Sequence, residues 1–145
     1  MASKVIAVRG EPIVDEQLNA GEAVTPGHLI DISSGAWIKH AGAGLNASPT
    51  FALERDEQGS EITVAYASGD RLKAGFFRPG DVVNALVASG QTLAVGAWLE
   101  SAGDGTLRAI AEDAATDDDQ RNAIVARSKE AVTATALTRH KVWIV

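Results

Sequence analysis

A glycine-spaced unit that recurs along the chain restricts what it can fold into. Gly21-Glu-Ala-Val24-Thr-Pro-Gly27-His-Leu29-Ile30-Asp31 aligns without a gap with Gly90-Gln-Thr-Leu93-Ala-Val-Gly96-Ala-Trp98-Leu99-Glu100. Both follow G-x-x-φ-x-x-G-x-φ-φ-[DE], where φ is apolar. A partial third copy is Phe77-Arg-Pro-Gly80-Asp-Val82-Val83. A short extended segment carries one apolar side chain inward. A Gly then takes a backbone conformation closed to residues with a Cβ. A second strand leaves with its own apolar residues. Pro26 and Pro79 precede their glycines, and Pro-Gly suits the central pair of a type II turn. Val95-Gly96 fills the same place less firmly. The plainer alternative is three unrelated turns in a chain that carries 14 glycines.

The rest of the chain agrees with many short strands and little helix. At 145 residues it has the length of a single domain, with no internal boundary. Apolar residues make up 46 % but aromatics only 5 %, so the core must be mostly Val, Ile, Leu and Ala. Lys4 to Arg9 is β-prone and Gly10-Glu-Pro12 ends it, which marks residues 1–12 as an N-terminal arm or edge strand. Ile13 to Asn19 reads as loop or one helical turn. Residues 28 to 40 form a hairpin about Ser33-Ser-Gly35, and Ala41 to Pro49 is a loop. Thr50 to Glu54, Ile62 to Ala67 and Val82 to Val87 are strands, the last of them buried. Asp104-Gly105 tips a hairpin that returns through Thr106 to Ile110. Residues 111–120 hold Glu112, Asp113, Asp117, Asp118 and Asp119 without a base, as a solvated acidic loop does. Ile124 to Ala136 fits a helical face and a strand alternation alike; the preferred reading is a closing hairpin with the terminal strand Arg139 to Val145.

Chemistry is sparse. The absence of cysteine removes disulfides, thiolate metal sites and a Cys nucleophile, and fits synthesis in a reducing cytoplasm. A formal charge of −6 argues against general nucleic-acid binding. No apolar run is long enough to span a bilayer as a helix, and the first residues lack a secretory leader. His28, His40 and His140 have no metal-ligand spacing. Asp117-Asp-Asp119 lacks the alternating oxygens of a calcium loop. No nucleophile elbow or phosphate loop is present. The expectation is therefore no catalytic residue, no cofactor and no metal. The aromatics carry more information. Trp37 shares a strand face with Lys39, and Trp143 with Lys141, while Phe76 and Phe77 point opposite ways. Each has a core reading, which is the one preferred for Trp98, and for Trp37, Phe77 and Trp143 a contact reading stands beside it.

Tyr66-Ala-Ser-Gly-Asp70, Arg78-Pro-Gly-Asp-Val-Val-Asn-Ala-Leu-Val87 and Gly90 to Leu107 together resemble the capsid decoration, or cement, proteins of tailed bacteriophages. The repeated unit is also similar to the turn-and-strand unit of β-clip folds, to which the head decoration protein of lambda-like phages belongs. The resemblance departs at Glu112 to Asp119 and at Lys129 to Thr138. It implies a mainly β protomer, a small β-barrel of β-clip or β-tulip type with an extended N-terminal arm. It also implies a homotrimer that binds the major capsid protein on the outside of the virion, and no enzymatic activity. A mobile arm would add a strand to the shell. The candidate contact residues are then Lys4, Val5, Ile6, Val8 and Arg9 of the arm, with Trp37, Phe77, Arg78 and Trp143. A carrier module of lipoyl or biotinyl type shares such turns but needs a Lys at the hairpin tip, where this chain has Gly103-Asp-Gly105. A carbohydrate-binding β-clip module is a further alternative.

Overall fold

The computed structural model describes residues 5–55, 59, 61–110 and 123–145. Lys4 and the acidic stretch 111–120 lie outside them. All regular elements among the described residues are strands. Their order is β1 (Ala7–Arg9), β2 (Ile13–Asp15), β3 (Ile30–Ser33), β4 (Ala36–Lys39), β5 (Thr50–Ala52), β6 (Ala74–Phe76) and β7 (Val82–Val87). They continue as β8 (Thr92–Leu93), β9 (Trp98–Ser101), β10 (Leu107–Ala109), β11 (Ala126–Ser128), β12 (Val132–Thr133) and β13 (Thr138–Ile144).

Five of them close a barrel in the order β7-β10-β9-β11-β13, with β13 pairing back onto β7. Closure removes the open edges that make short strands sticky. Strand β7 is a wall strand with all six residues buried. On one side β13 runs antiparallel to it from Thr138↔Val87 to Trp143↔Val82. The other side is divided. Strand β10 joins in parallel at Leu107↔Val87, and β1 joins antiparallel at Ala7↔Val83 and Arg9↔Val82. The N-terminal segment thus completes a wall that β10 does not reach. Asn84 N–H donates to the Ile6 carbonyl (2.8 Å), and Ile6 N–H to Glu54 Oε2 (3.1 Å). Ile6 is thus bonded into the protomer, and Ala7–Arg9 is an edge strand, not a free arm.

Two apolar clusters result. The first fills the barrel and includes Ile6, Phe51, Phe77, Val83, Leu99, Leu107, Val142 and Ile144. The second lies under the sheet β2-β6-β5 and the hairpin β3–β4, and includes Val24, Ile30, Trp37, Tyr66 and Leu72. Strand β6 runs between them, so both faces of Phe76-Phe77 are covered. Phe77 meets Phe51 edge-on at 5.9 Å in the first cluster, and Phe76 meets Trp37 at 6.0 Å beside the second.

The repeated unit is a repeated turn. Gly27, Gly80 and Gly96 have φ of 98°, 92° and 88°. Each follows the same hydrogen bond: His28 N–H to the Thr25 carbonyl, Asp81 to Arg78, and Ala97 to Ala94, at 3.0–3.1 Å. A fourth such turn, Ala67 to Asp70 with Gly69 at 90°, escapes the pattern search because its flanks differ. In three of the four, the last side chain accepts the N–H of the first residue. His28 Nδ1 takes Thr25 (3.0 Å), Asp81 Oδ2 takes Arg78 (2.9 Å) and Asp70 Oδ2 takes Ala67 (2.9 Å). Each device holds an orphan donor of its turn.

Several expectations change. Ile13–Asp15 is a strand paired with β6, not loop or helix. Ile62 to Ala67 is not a strand; Tyr66 alone bridges to Val24. The tyrosine hydroxyl instead donates to the Leu53 carbonyl (2.7 Å) inside the second cluster. The closing hairpin is present, with β11 antiparallel to β13 from Ala126↔Ile144 to Ser128↔Val142.

Candidate interaction surface

Ile6, Trp37 and Phe77 are corrected as contact residues. They are 0 %, 2 % and 4 % exposed and belong to the protomer's own core. Trp37 is drawn in because the hairpin face it shares with Lys39 packs against the second cluster, which the lone strand pattern does not reveal. Val5 and Arg9 are exposed, Val8 is half-buried, and Arg78 is exposed beside the turn it opens.

Ladder register brings two of the chosen residues into one row. Trp143 on β13 and Arg9 on β1 pair with Val82 from opposite sides of β7. In the other direction Trp143 pairs with Arg127 on β11, and Arg127 with Trp98 on β9. Directly opposed residues share a face. Ala126, Val142 and Ile144 point into the barrel, so Trp98, Arg127 and Trp143 stand on its outside. Trp98 is 44 % exposed, with Val95 exposed nearby in the preceding turn. The Arg127 guanidinium lies 4.2 Å over the Trp98 ring, and its Nε donates to the Gly96 carbonyl (3.0 Å). Lys129 Nζ is 5.6 Å from the Trp143 ring. Lys141 lies beside it, its carbonyl accepting the Lys129 N–H. The result is an aromatic row capped by cations, on a chain that is acidic as a whole.

Sequence reasoning undervalued Trp98 and missed Arg127, and the repeat explains why. Trp98 aligns with Leu29, which is fully buried. In the first copy the strand runs between the two clusters, so Leu29 and Ile30 are both covered. In the second copy only the barrel interior is available. Leu99 takes it and Trp98 faces out. The terminal carboxylates diverge as well, in the opposite sense. Asp31 is exposed, whereas Glu100 is 5 % exposed and pairs with Arg108 at 2.9 Å.

Reactive groups are placed differently. His40 Nδ1 lies 2.7 Å from Ser101 Oγ, and its Nε2 donates to the Asn46 carbonyl (3.0 Å). That tautomer leaves Nδ1 to accept the serine proton, the relation a nucleophile needs. Ser101 is 0 % exposed, however, and its oxygen already accepts the Gly103 N–H (3.1 Å), so the pair serves packing. His28 joins the layers. Its turn carbonyls accept Arg139 at Pro26 and Leu86 N–H at Gly27, and its own N–H closes the turn. Burial, then the nearby Lys39, hold its imidazole down at about 4, so it is neutral and free to accept at Nδ1. Burial also lowers Arg139 from its ordinary value. His140 pairs with Thr138 Oγ1 (2.7 Å) and Glu130. No group of three or more His, Cys, Asp or Glu stands together among the described residues. No helix among them is long and apolar enough to cross a membrane.

No protein-family model matches the chain, and no curated protein matches it either.

Proposed function

We propose that this protein is a non-enzymatic structural protein of a tailed-phage virion. It binds the outer surface of the assembled capsid as a homotrimer and cements neighbouring major capsid protein subunits. The observation that carries the reading is the outward row Trp98–Arg127–Trp143 on a closed barrel, with Trp98 exposed and Arg127 and Trp143 half-buried. An indole left in water forgoes the burial that an aromatic of its size offers, and a partner surface recovers it. The barrel gives that row a rigid backing, so little conformational freedom is lost on docking. The turn-and-strand resemblance supplies the choice of partner. A cement that binds only the intact lattice opposes disassembly by mass action, and many copies on one shell allow modest affinity at each contact. Binding in this form does not use Ala7–Arg9 as a donated strand, because β1 is already paired within the protomer. The test is incubation with expanded, undecorated capsids followed by sedimentation. Saturable co-sedimentation is expected; its absence sinks the reading.

A further inference from the structure

We infer that the outer row Trp98–Arg127–Trp143, with Lys129 and Lys141, is the docking site for a carboxylate-bearing segment of a partner protein. In the assembly this partner is an acidic stretch of the shell subunit, a choice that rests on the function proposed above.

Three observations converge on a carboxylate. The Arg127 guanidinium is oriented by one hydrogen bond from its Nε to the Gly96 carbonyl and by its place over Trp98. It makes no ion pair with a described acid, and its outer nitrogens are left to present a planar fork that a carboxylate matches with two parallel hydrogen bonds. Lys129, directly after β11, and Lys141 on β13 add positive charge, and Glu130, a described acid beside them, is engaged by His140 and the Lys141 N–H. The apolar parts are those of a protein contact. Trp and Arg are the residues that dominate interface energetics, and Val95 and Trp98 extend the apolar area around the charge.

Other ligands fit less well. A nucleic acid needs a run of cations tracking its phosphates, and this face carries a small cluster on a chain of net charge −6. A sugar would stack on an open aromatic face, and one face of Trp98 is taken by the guanidinium.

The three tryptophans provide an internal control, because Trp37 is sealed in the core and distant from the row in the ladder. The intact protein, labelled with nitrogen-15, is titrated with poly-L-glutamate, with a single-stranded oligonucleotide and with a neutral oligosaccharide. The indole N–H signals are followed at low salt. Poly-glutamate is expected to shift Trp98 and Trp143 but not Trp37. R127Q is expected to weaken the response about tenfold, with R127K between, while an unmoved Trp37 signal shows that each variant is folded. No shift at Trp98, equal shifts at all three indoles, or a response to the oligonucleotide or sugar in place of poly-glutamate overturns the proposal. A second arm repeats the capsid sedimentation with W98A and R127Q. Wild-type binding that both variants match overturns this docking site and leaves the function standing. Failure of the wild-type protein to bind capsids removes the function, and the titration still decides the site.

Discussion

His28 fastens its turn only while its ring is neutral, because Nδ1 must accept the Thr25 N–H. Its pKa falls from 6.5 in an unfolded chain to about 4 in the fold, first through burial and then through Lys39. The folded state therefore binds fewer protons than the unfolded state between those values. Stability from this group is fully present above pH 6.5 and is lost as pH falls through about 4, amounting to about 3 kcal/mol. Urea unfolding at pH 7 and pH 4 should show that loss in the wild type beyond any loss in H28N, whose amide oxygen accepts the same N–H without titrating. Equal losses in the two proteins contradict the assignment. The turn glycines can be ranked in the same way. Gly80→Ala meets open space and suffers only its positive φ, at a cost of roughly 1 kcal/mol. Gly96→Ala adds a 3.1 Å approach to the Arg127 guanidinium, which can swing aside. Gly27→Ala places its Cβ 3.1 Å from the Asn84 carbonyl in the buried strand β7, which cannot. Denaturation midpoints should fall in the order Gly80, Gly96, Gly27, with Gly27→Ala losing roughly 2–3 kcal/mol.

Among the elements, β1 has the most consequence for how the protein works. Ile6 is fully buried in the barrel cluster, and β1 fills the half of the β7 edge that β10 leaves open. Ile6→Ala should cost about 2–4 kcal/mol, read as a lower denaturant midpoint at unchanged slope. A midpoint equal to wild type would return the segment to a free arm. The contrast between β1 and the turn units shows which features the sequence carries. Glycine turns, the Asp104-Gly105 hairpin and the buried run Val82–Val87 are local, and each is written in adjacent residues. Strand β2 is not: Ile13 and Val14 are exposed, and only pairing with β6 makes them a strand. Trp37 is a core residue for a reason equally remote, the second apolar cluster that covers a face which a single barrel would leave wet, and Phe77 is one because Phe51 meets it in the first cluster. The row on β9, β11 and β13 depends on ladder register between segments far apart in the chain, so Arg127 carries no signal in its own neighbourhood. Trp98 carried a misleading one, since its repeat partner Leu29 is buried.

For the whole molecule, the two apolar clusters are joined through the turn at Thr25 to His28. That turn bonds to β7 through Leu86, to β5 through Ala52 and to β13 through Arg139. Loosening it should loosen both layers together, so unfolding is expected as one transition by tryptophan fluorescence and by circular dichroism. Two separated transitions would show the layers to be independent. A protomer held together in this way suits the proposed cementing role, in which stiffness is passed from the barrel to whatever it touches. Scanning calorimetry of expanded, undecorated capsids titrated with the protein tests that role most directly. The capsid transition should rise with added protein and level off at a fixed number of copies per shell. A capsid transition that stays where it was at saturating protein would contradict it.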